Sequence, residues 1–313
     1  MTVITAMRFN PEQGAMVADE RSSSTRGRQY DIATKLQSFP KKDETMCVVG
    51  GSGVADMLYM ILDRAKRCEA ESAEDQLRQI ARITNEVKWE YLDSHMKSSY
   101  NVSADEFLGG FKQWSDGARQ PLDPDIKQKL HQFLISSNNP NILNAYLALS
   151  FEDEIKIHSI DMDRPVSMLC SRPYAVIGSG EIADAELSDF FKYIPREERD
   201  NINPTIGLYN LLLAVDSACD KNVGVGGVPV INIMHRNELI IPTENNSHLA
   251  TEIAKATRRG FLSQEFADES LLSLLYRHED CESIDKEMYK ATKEPDRLNR
   301  FLRGYKPISG DSP

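Results

Sequence analysis

Thr2-Val3-Ile4-Thr5-Ala6-Met7-Arg8-Phe9, the turn Asn10-Pro11-Glu12-Gln13-Gly14 and the return Ala15-Met16-Val17-Ala18-Asp19 decide the fold. Both arms carry β-formers and the linker carries turn chemistry, so the spacing predicts an antiparallel hairpin. A second pair is expected next: Ile32–Phe39, a turn at Pro40–Glu44, and the buried strand Met46-Cys47-Val48-Val49. Gly50-Gly51-Ser52-Gly53 closes that strand, after which Val54, Leu58, Ile61, Leu62 and Ala65 recur at helical spacing. The same succession returns later, as the strand Tyr174–Ile177, the turn Gly178-Ser179-Gly180 and the helix Glu181–Phe191.

From Ser72 to Ser137 the pattern is helical throughout. Leu77, Ile80, Thr84, Val87 and Tyr91 share a face, Ser103 and Glu106 suit a capping box, and Asp123-Pro124 opens a further helix. Strands are expected at Leu143–Phe151, Ile155–Asp161 and Val166–Cys170. Asn203-Pro204 then starts a helix that runs to about Cys219. Gly224-Val225-Gly226-Gly227 leads into the strands Val230–Met234 and Leu239–Pro242, and the chain from Ser247 reads as helical. Strands that arrive in hairpin-linked groups exclude singly alternating βαβ units. They point to an α+β protein with two antiparallel sheets and helices outside, a four-layer α-β-β-α sandwich.

The 313 residues include 48 acidic and 37 basic side chains, for a net charge of -11. That balance argues against a nucleic-acid partner, which needs a basic stripe to neutralise phosphates. Apolar runs such as Leu211–Val215 fall far short of the roughly 20 residues that span a bilayer. Met1-Thr2-Val3-Ile4 lacks the basic segment and apolar core of a signal peptide. Five scattered cysteines suit a reducing compartment. The reading is a soluble cytoplasmic protein without a membrane partner. No metal is expected, because the six histidines stand apart and no cysteines are paired. No cofactor is expected either. Gly178-Ser179-Gly180-Glu181-Ile182-Ala183 matches G-x-G-x-x-A, but Glu181 at the helix start would repel a pyrophosphate.

The N-terminus carries unusual chemistry. A small residue after Met1 permits removal of that methionine, which would leave Thr2 with a hydroxyl and a free α-amine together. A hydroxyl is a weak nucleophile without an adjacent base, and an N-terminal amine can be that base. Its ordinary pKa of roughly 7.7–8.0 lies near neutrality, and a neighbouring ammonium lowers it further. A buried ammonium needs a partner. Lys35 and Asp19 suit these roles if adjacent strands of one hairpin sheet bring both beside Thr2.

In that order, Thr2-Val3-Ile4, Gly14–Arg21, Thr34-Lys35-Leu36 and Val48–Gly53 resemble the opening of a proteasome β-type subunit. The block Ala145–Gly180, ending in Gly178-Ser179-Gly180, and the stretch Asp216–Ile233 are similar to later parts of the same family. These are self-compartmentalising threonine proteases of the N-terminal nucleophile (Ntn) hydrolase superfamily. The resemblance implies a single Ntn-hydrolase domain over 1–313, with a core at about 2–65 and 142–243. A helical insert at about 66–141 and a helical extension at about 247–308 are additions.

It also implies roles. Thr2 is the nucleophile and its amine the base, Lys35 tunes the amine, and Asp19 orients Lys35. The Gly51 N–H donates to the oxyanion, and Ser179 and Asp220 complete the shell around the amine. Arg21 and Ser23 pair with an extended substrate. Implied partners are a peptide or unfolded-protein substrate and a homo-oligomeric ring, with an ATPase unfoldase left open. With only Met1 ahead of Thr2, methionine removal suffices. Val223 stands where the family usually has serine, which weakens or rearranges the site. Alternatives are an acyl-transferring ligase or amidase of the same fold, and a non-catalytic ring or assembly subunit.

Overall fold

The computed structural model describes residues 2–20, 22–23, 29–30, 35–41, 44–114, 117–137, 145–161, 166–222 and 225–302. Strands β1 (Val3–Asn10) and β2 (Gln13–Ala18) form the expected hairpin, with Ile4 opposite Ala18 and Met7 opposite Ala15. A short ribbon of β3 (Ser22–Ser23) and β4 (Gln29–Tyr30) follows, then β5 (Leu36–Lys41) and β6 (Glu44–Ser52). β5 is an edge strand that carries Pro40 beside a register shift, where a missing N–H is tolerated. Of the strand expected over Ile32–Phe39, Ile32–Thr34 lie outside the described residues, and β5 runs from Leu36 on through the proline.

Next come α1 (Ala55–Lys66), α2 (Ala73–Tyr100), α3 (Ala104–Gly109), the strands β7 (Phe111–Gln113) and β8 (Arg119–Pro121), and α4 (Pro124–Ser137). The Ser103–Glu106 capping box forms as read. The β7–β8 ribbon corrects the all-helical reading of this region. Gly110 ends α3 at φ 71°, and the chain reverses with the Trp114 N–H on the Ala118 carbonyl. The later elements are β9 (Ala145–Phe151), β10 (Ile155–Asp161), β11 (Met168–Leu169), β12 (Tyr174–Gly178), α5 (Glu181–Lys192), α6 (Pro204–Lys221), β13 (Val230–His235), β14 (Glu238–Ile240), α7 (Glu244–Arg258), α8 (Gln264–Leu275), α9 (Cys281–Ala291) and α10 (Pro295–Phe301).

The ten longer-range strands make two antiparallel sheets, in the orders β12-β1-β2-β13-β14 and β11-β10-β9-β6-β5. Chain contacts divide the molecule into two units. The first (Met1–Ser52, Tyr146–Ser159 and Met168–Pro313) holds both sheets and α5–α10, and the second (Gly53–Ala145 and Ile160–Ser167) holds α1–α4. Within the first unit the period-two alternation of β1 and β2 makes the layers. Ile4, Ala6, Met16 and Ala18 pack on Leu36, Val48, Leu147 and Leu149 of the second sheet. Val3, Met7, Phe9, Ala15 and Val17 face the other way, onto Leu187 of α5, Leu208 and Leu212 of α6 and Ile253 of α7. In the second unit Leu92, Met96, Val102, Leu122 and Leu130 form a separate core. No helix among the described residues is long and apolar enough to cross a membrane.

Candidate functional site

Thr2 enters β1 where that strand pairs with β12, Val3 lying opposite Gly178. The peptide group joining Thr2 to Val3 is bonded at both ends. Its carbonyl accepts the Ser179 N–H at 2.6 Å, and its N–H donates to Asp19 Oδ1 at 2.8 Å. Gly178 makes the first contact possible. It sits at φ 80°, and a Cβ there would lie 2.0 Å from the Thr2 carbonyl oxygen and 2.7 Å from Ser52 Oγ.

Asp19 follows β2 and is fully buried, with each carboxylate oxygen occupied. Oδ1 accepts from Lys35 Nζ at 2.7 Å as well as from Val3, and Oδ2 accepts from the Gly226 N–H at 3.2 Å. Lys35 is buried too, but it precedes β5 and so belongs to the second sheet. The ion pair therefore bridges the two sheets, whereas the sequence reading placed both residues on neighbouring strands of one sheet. Burial pushes the Lys35 ammonium below the usual lysine range and the Asp19 carboxyl above the usual carboxylate range. Both directions express the cost of taking an ion pair out of water. Cys219, near the end of α6, is pushed up to about 12 by burial and then by the Asp19 and Asp216 carboxylates.

Two of the expected site residues make other contacts. The Gly51 N–H donates to the Lys35 carbonyl at 3.3 Å, extending the β5–β6 ladder one pair past Leu36 and Gly50. Directed at β5, it is not an open oxyanion donor. Asp220 is exposed, because α6 continues to Lys221 instead of stopping near Cys219 and carries Asp220 out to solvent. Asn222, the first residue after the helix, takes up the contact instead: its Nδ2 donates to the Ser179 carbonyl at 3.2 Å.

Ser23 lies in the β3–β4 ribbon, paired with Gln29. Met1, Arg21 and Val223 lie outside the described residues. Among the described residues no group of three or more His, Cys, Asp or Glu is placed to hold a metal. The reading of the sequence missed Ser52, Asn222 and Gly226 as site residues. The Gly226-Gly227 pair was visible only as a turn, although its backbone grips Asp19 and the Gly226 carbonyl accepts the Glu20 N–H at 3.1 Å.

No protein-family model matches the chain, and no curated protein matches it. Solved structures do. Anbu (ancestral beta-subunit) from Yersinia bercovieri superposes with a TM-score of 0.55 at 14% identity, over 82% of this chain and 94% of that one. A structure described as helical assembly of the Anbu complex from Pseudomonas aeruginosa gives 0.54 at 15% identity, over 82% and 91% of the two chains. An Anbu (Gly-1) mutant from Hyphomicrobium sp. strain MC1 gives 0.51 at 13%, over 83% and 96%. These neighbours correct the resemblance to proteasome β-type subunits: Anbu proteins are proteasome-like but a distinct family, and at such identity the likeness is one of fold.

Proposed function

We propose that this chain, with its Anbu-like fold, is an amide-bond hydrolase whose nucleophile is Thr2, exposed by removal of Met1. The observation that carries the reading is the grip on the Thr2–Val3 peptide from Ser179 and Asp19, with Asp19 shared by the buried Lys35. A hydrogen-bonded frame of this kind fixes the first residue while leaving Thr2 itself only partly buried. Thr2 Oγ attacks the substrate carbonyl carbon as the α-amine takes the hydroxyl proton. The C–N bond breaks as that proton passes to the leaving amine. The resulting ester on Thr2 is then attacked by water, with the amine accepting the water proton, and the acid and free hydroxyl are regenerated. Lys35 keeps the amine available as a base, and Asp19 positions Lys35.

The reading extends to architecture and partners. The fold is a four-layer Ntn-type sandwich, copies of the chain assemble with one another, and the substrate is a peptide or unfolded segment. The test is covalent labelling by a threonine-directed electrophile, followed by intact-mass measurement. The wild-type chain lacking Met1 is expected to gain one adduct and Thr2→Ala none. Equal labelling of both excludes the mechanism. The engaged Gly51 N–H and exposed Asp220 favour a second reading, an assembly subunit without chemistry. Retention of Met1 in the native protein would support that reading, because the α-amine would then sit on the wrong residue.

A further inference from the structure

A cavity of about 520 Å³ opens beside the start of β12 and the end of α5, lined by Arg172, Tyr174, Ser188, Asp189, Lys192 and Arg199 among others. In a chain with a net charge of -11, this pocket gathers three cations and one carboxylate in its wall. Its floor is rigid. Tyr174 and Phe191 are buried and stacked with ring centroids 5.0 Å apart. Two of the cations are also held in place. The Arg172 guanidinium lies 5.3 Å above the Tyr174 ring and donates to the Tyr174 hydroxyl at 3.1 Å. Arg199 is tied by its Nε to the Ile194 carbonyl at 3.1 Å, which leaves its two terminal nitrogens without a partner among the described residues. Asp184 reaches Arg172 at 3.4 Å, long beside the roughly 2.7–2.9 Å of a close charge-assisted bond.

We propose that this pocket is a binding site for a small oxyanion, a phosphate or a carboxylate. The fork of N–H donors on a guanidinium matches paired oxygens of such anions, and a cation already oriented on a ring or a carbonyl loses less freedom on binding. The C-terminal end of α5 carries partial negative charge that opposes an anion. Lys192 in the last turn offsets that field. An anion held by Arg172 and Arg199 would tie the start of β12 to the segment that follows α5.

The experiment is calorimetric titration of the full chain with inorganic phosphate and, separately, with citrate. Sodium chloride at matched ionic strength is the control. Two variants accompany it: Arg199→Gln, which removes the half-buried guanidinium with its two unpartnered terminal nitrogens, and Ser188→Glu, which places a carboxylate in the cavity. Saturable binding of either anion is expected, weakened roughly tenfold or more in each variant. Preference for phosphate or for citrate identifies the source chemistry. The proposal is overturned if chloride reproduces the signal, or if both variants bind like the wild type. It is overturned equally if the heat follows protein concentration alone, which would mark the pocket as a contact between copies.

Discussion

Replacing one partner of the Asp19–Lys35 pair at a time tests the buried bridge between the sheets. The Asp19 side chain is 0% exposed and the Lys35 side chain 6%, so either single change strands a charge away from water. Breaking such a pair costs about 3–5 kcal/mol, which for a chain of 313 residues lowers the melting temperature by roughly 5–8 °C. The pH dependence should have opposite signs in the two variants. In Asp19→Asn the lysine loses the carboxylate that supports its charge, and its folded pKa falls further below the unfolded value. Between those values the unfolded chain binds more protons, so stability rises with pH. In Lys35→Met the carboxyl, already raised by burial, loses its ammonium and titrates above its unfolded value. The folded chain then binds more protons, and stability falls as pH rises through that window. The double variant should recover most of the loss. The introduced asparagine amide would still turn an NH2 toward either the Val3 N–H or the Gly226 N–H, leaving a residual cost of about 1–3 kcal/mol. Thermal unfolding followed by circular dichroism from pH 5 to 9 measures all three. Singles within about 0.5 kcal/mol of wild type, or losses that simply add, would refute a desolvated pair.

Gly178→Ala should destabilise the protein by more than about 2 kcal/mol, because left-handed backbone strain adds to the collision with the Thr2 carbonyl; an unchanged unfolding midpoint would contradict the close approach. Asn222→Asp would aim a carboxylate oxygen at the Ser179 carbonyl and should cost about 1–3 kcal/mol, whereas Asp220→Asn on the exposed last turn of α6 should stay within about 0.5 kcal/mol. Burial pushes the Cys47 thiol up to about 12, so at pH 8 roughly one thiol in ten thousand is ionised. Alkylation read by peptide mass spectrometry should therefore modify the half-buried Cys68 well before Cys47, and denaturant should erase the difference.

The hairpin and its face-to-face packing were readable because β1 and β2 alternate so cleanly that one set of residues meets a sheet and the other meets helices. Asp19 and Lys35 were readable as a pair because a buried ammonium requires a carboxylate. Their geometry was not, since nothing local states that Leu36 opens a strand of the opposite sheet. Helix ends limited the rest of the site. α6 runs two residues past Cys219, and that half-turn exchanges Asp220 for Asn222 at Ser179. The Gly51 contact is hidden for a related reason: Gly50-Gly51-Ser52-Gly53 does not reveal where β6 ends, and the ladder extends through Gly51. The β7–β8 ribbon escaped notice because each arm is too short to show a period of two.

A buried ion pair is a costly way to join two sheets, because apolar side chains of similar volume would hold them at least as well. Ile4, Met16, Ala18, Leu36 and Val48 already do so nearby. What the pair adds is position: Asp19 Oδ1 accepts from both the Val3 N–H and the lysine, at the peptide that follows Thr2. If the pair serves the proposed chemistry, Asp19→Asn with Lys35→Met should still fold, with only the residual cost of the asparagine amide, and yet lose electrophile labelling at Thr2. In an assembly subunit without chemistry the double variant would fold likewise, and wild type and variant alike would remain unlabelled. Labelling of the double variant at the wild-type rate would make the pair a structural device and remove Lys35 from the mechanism.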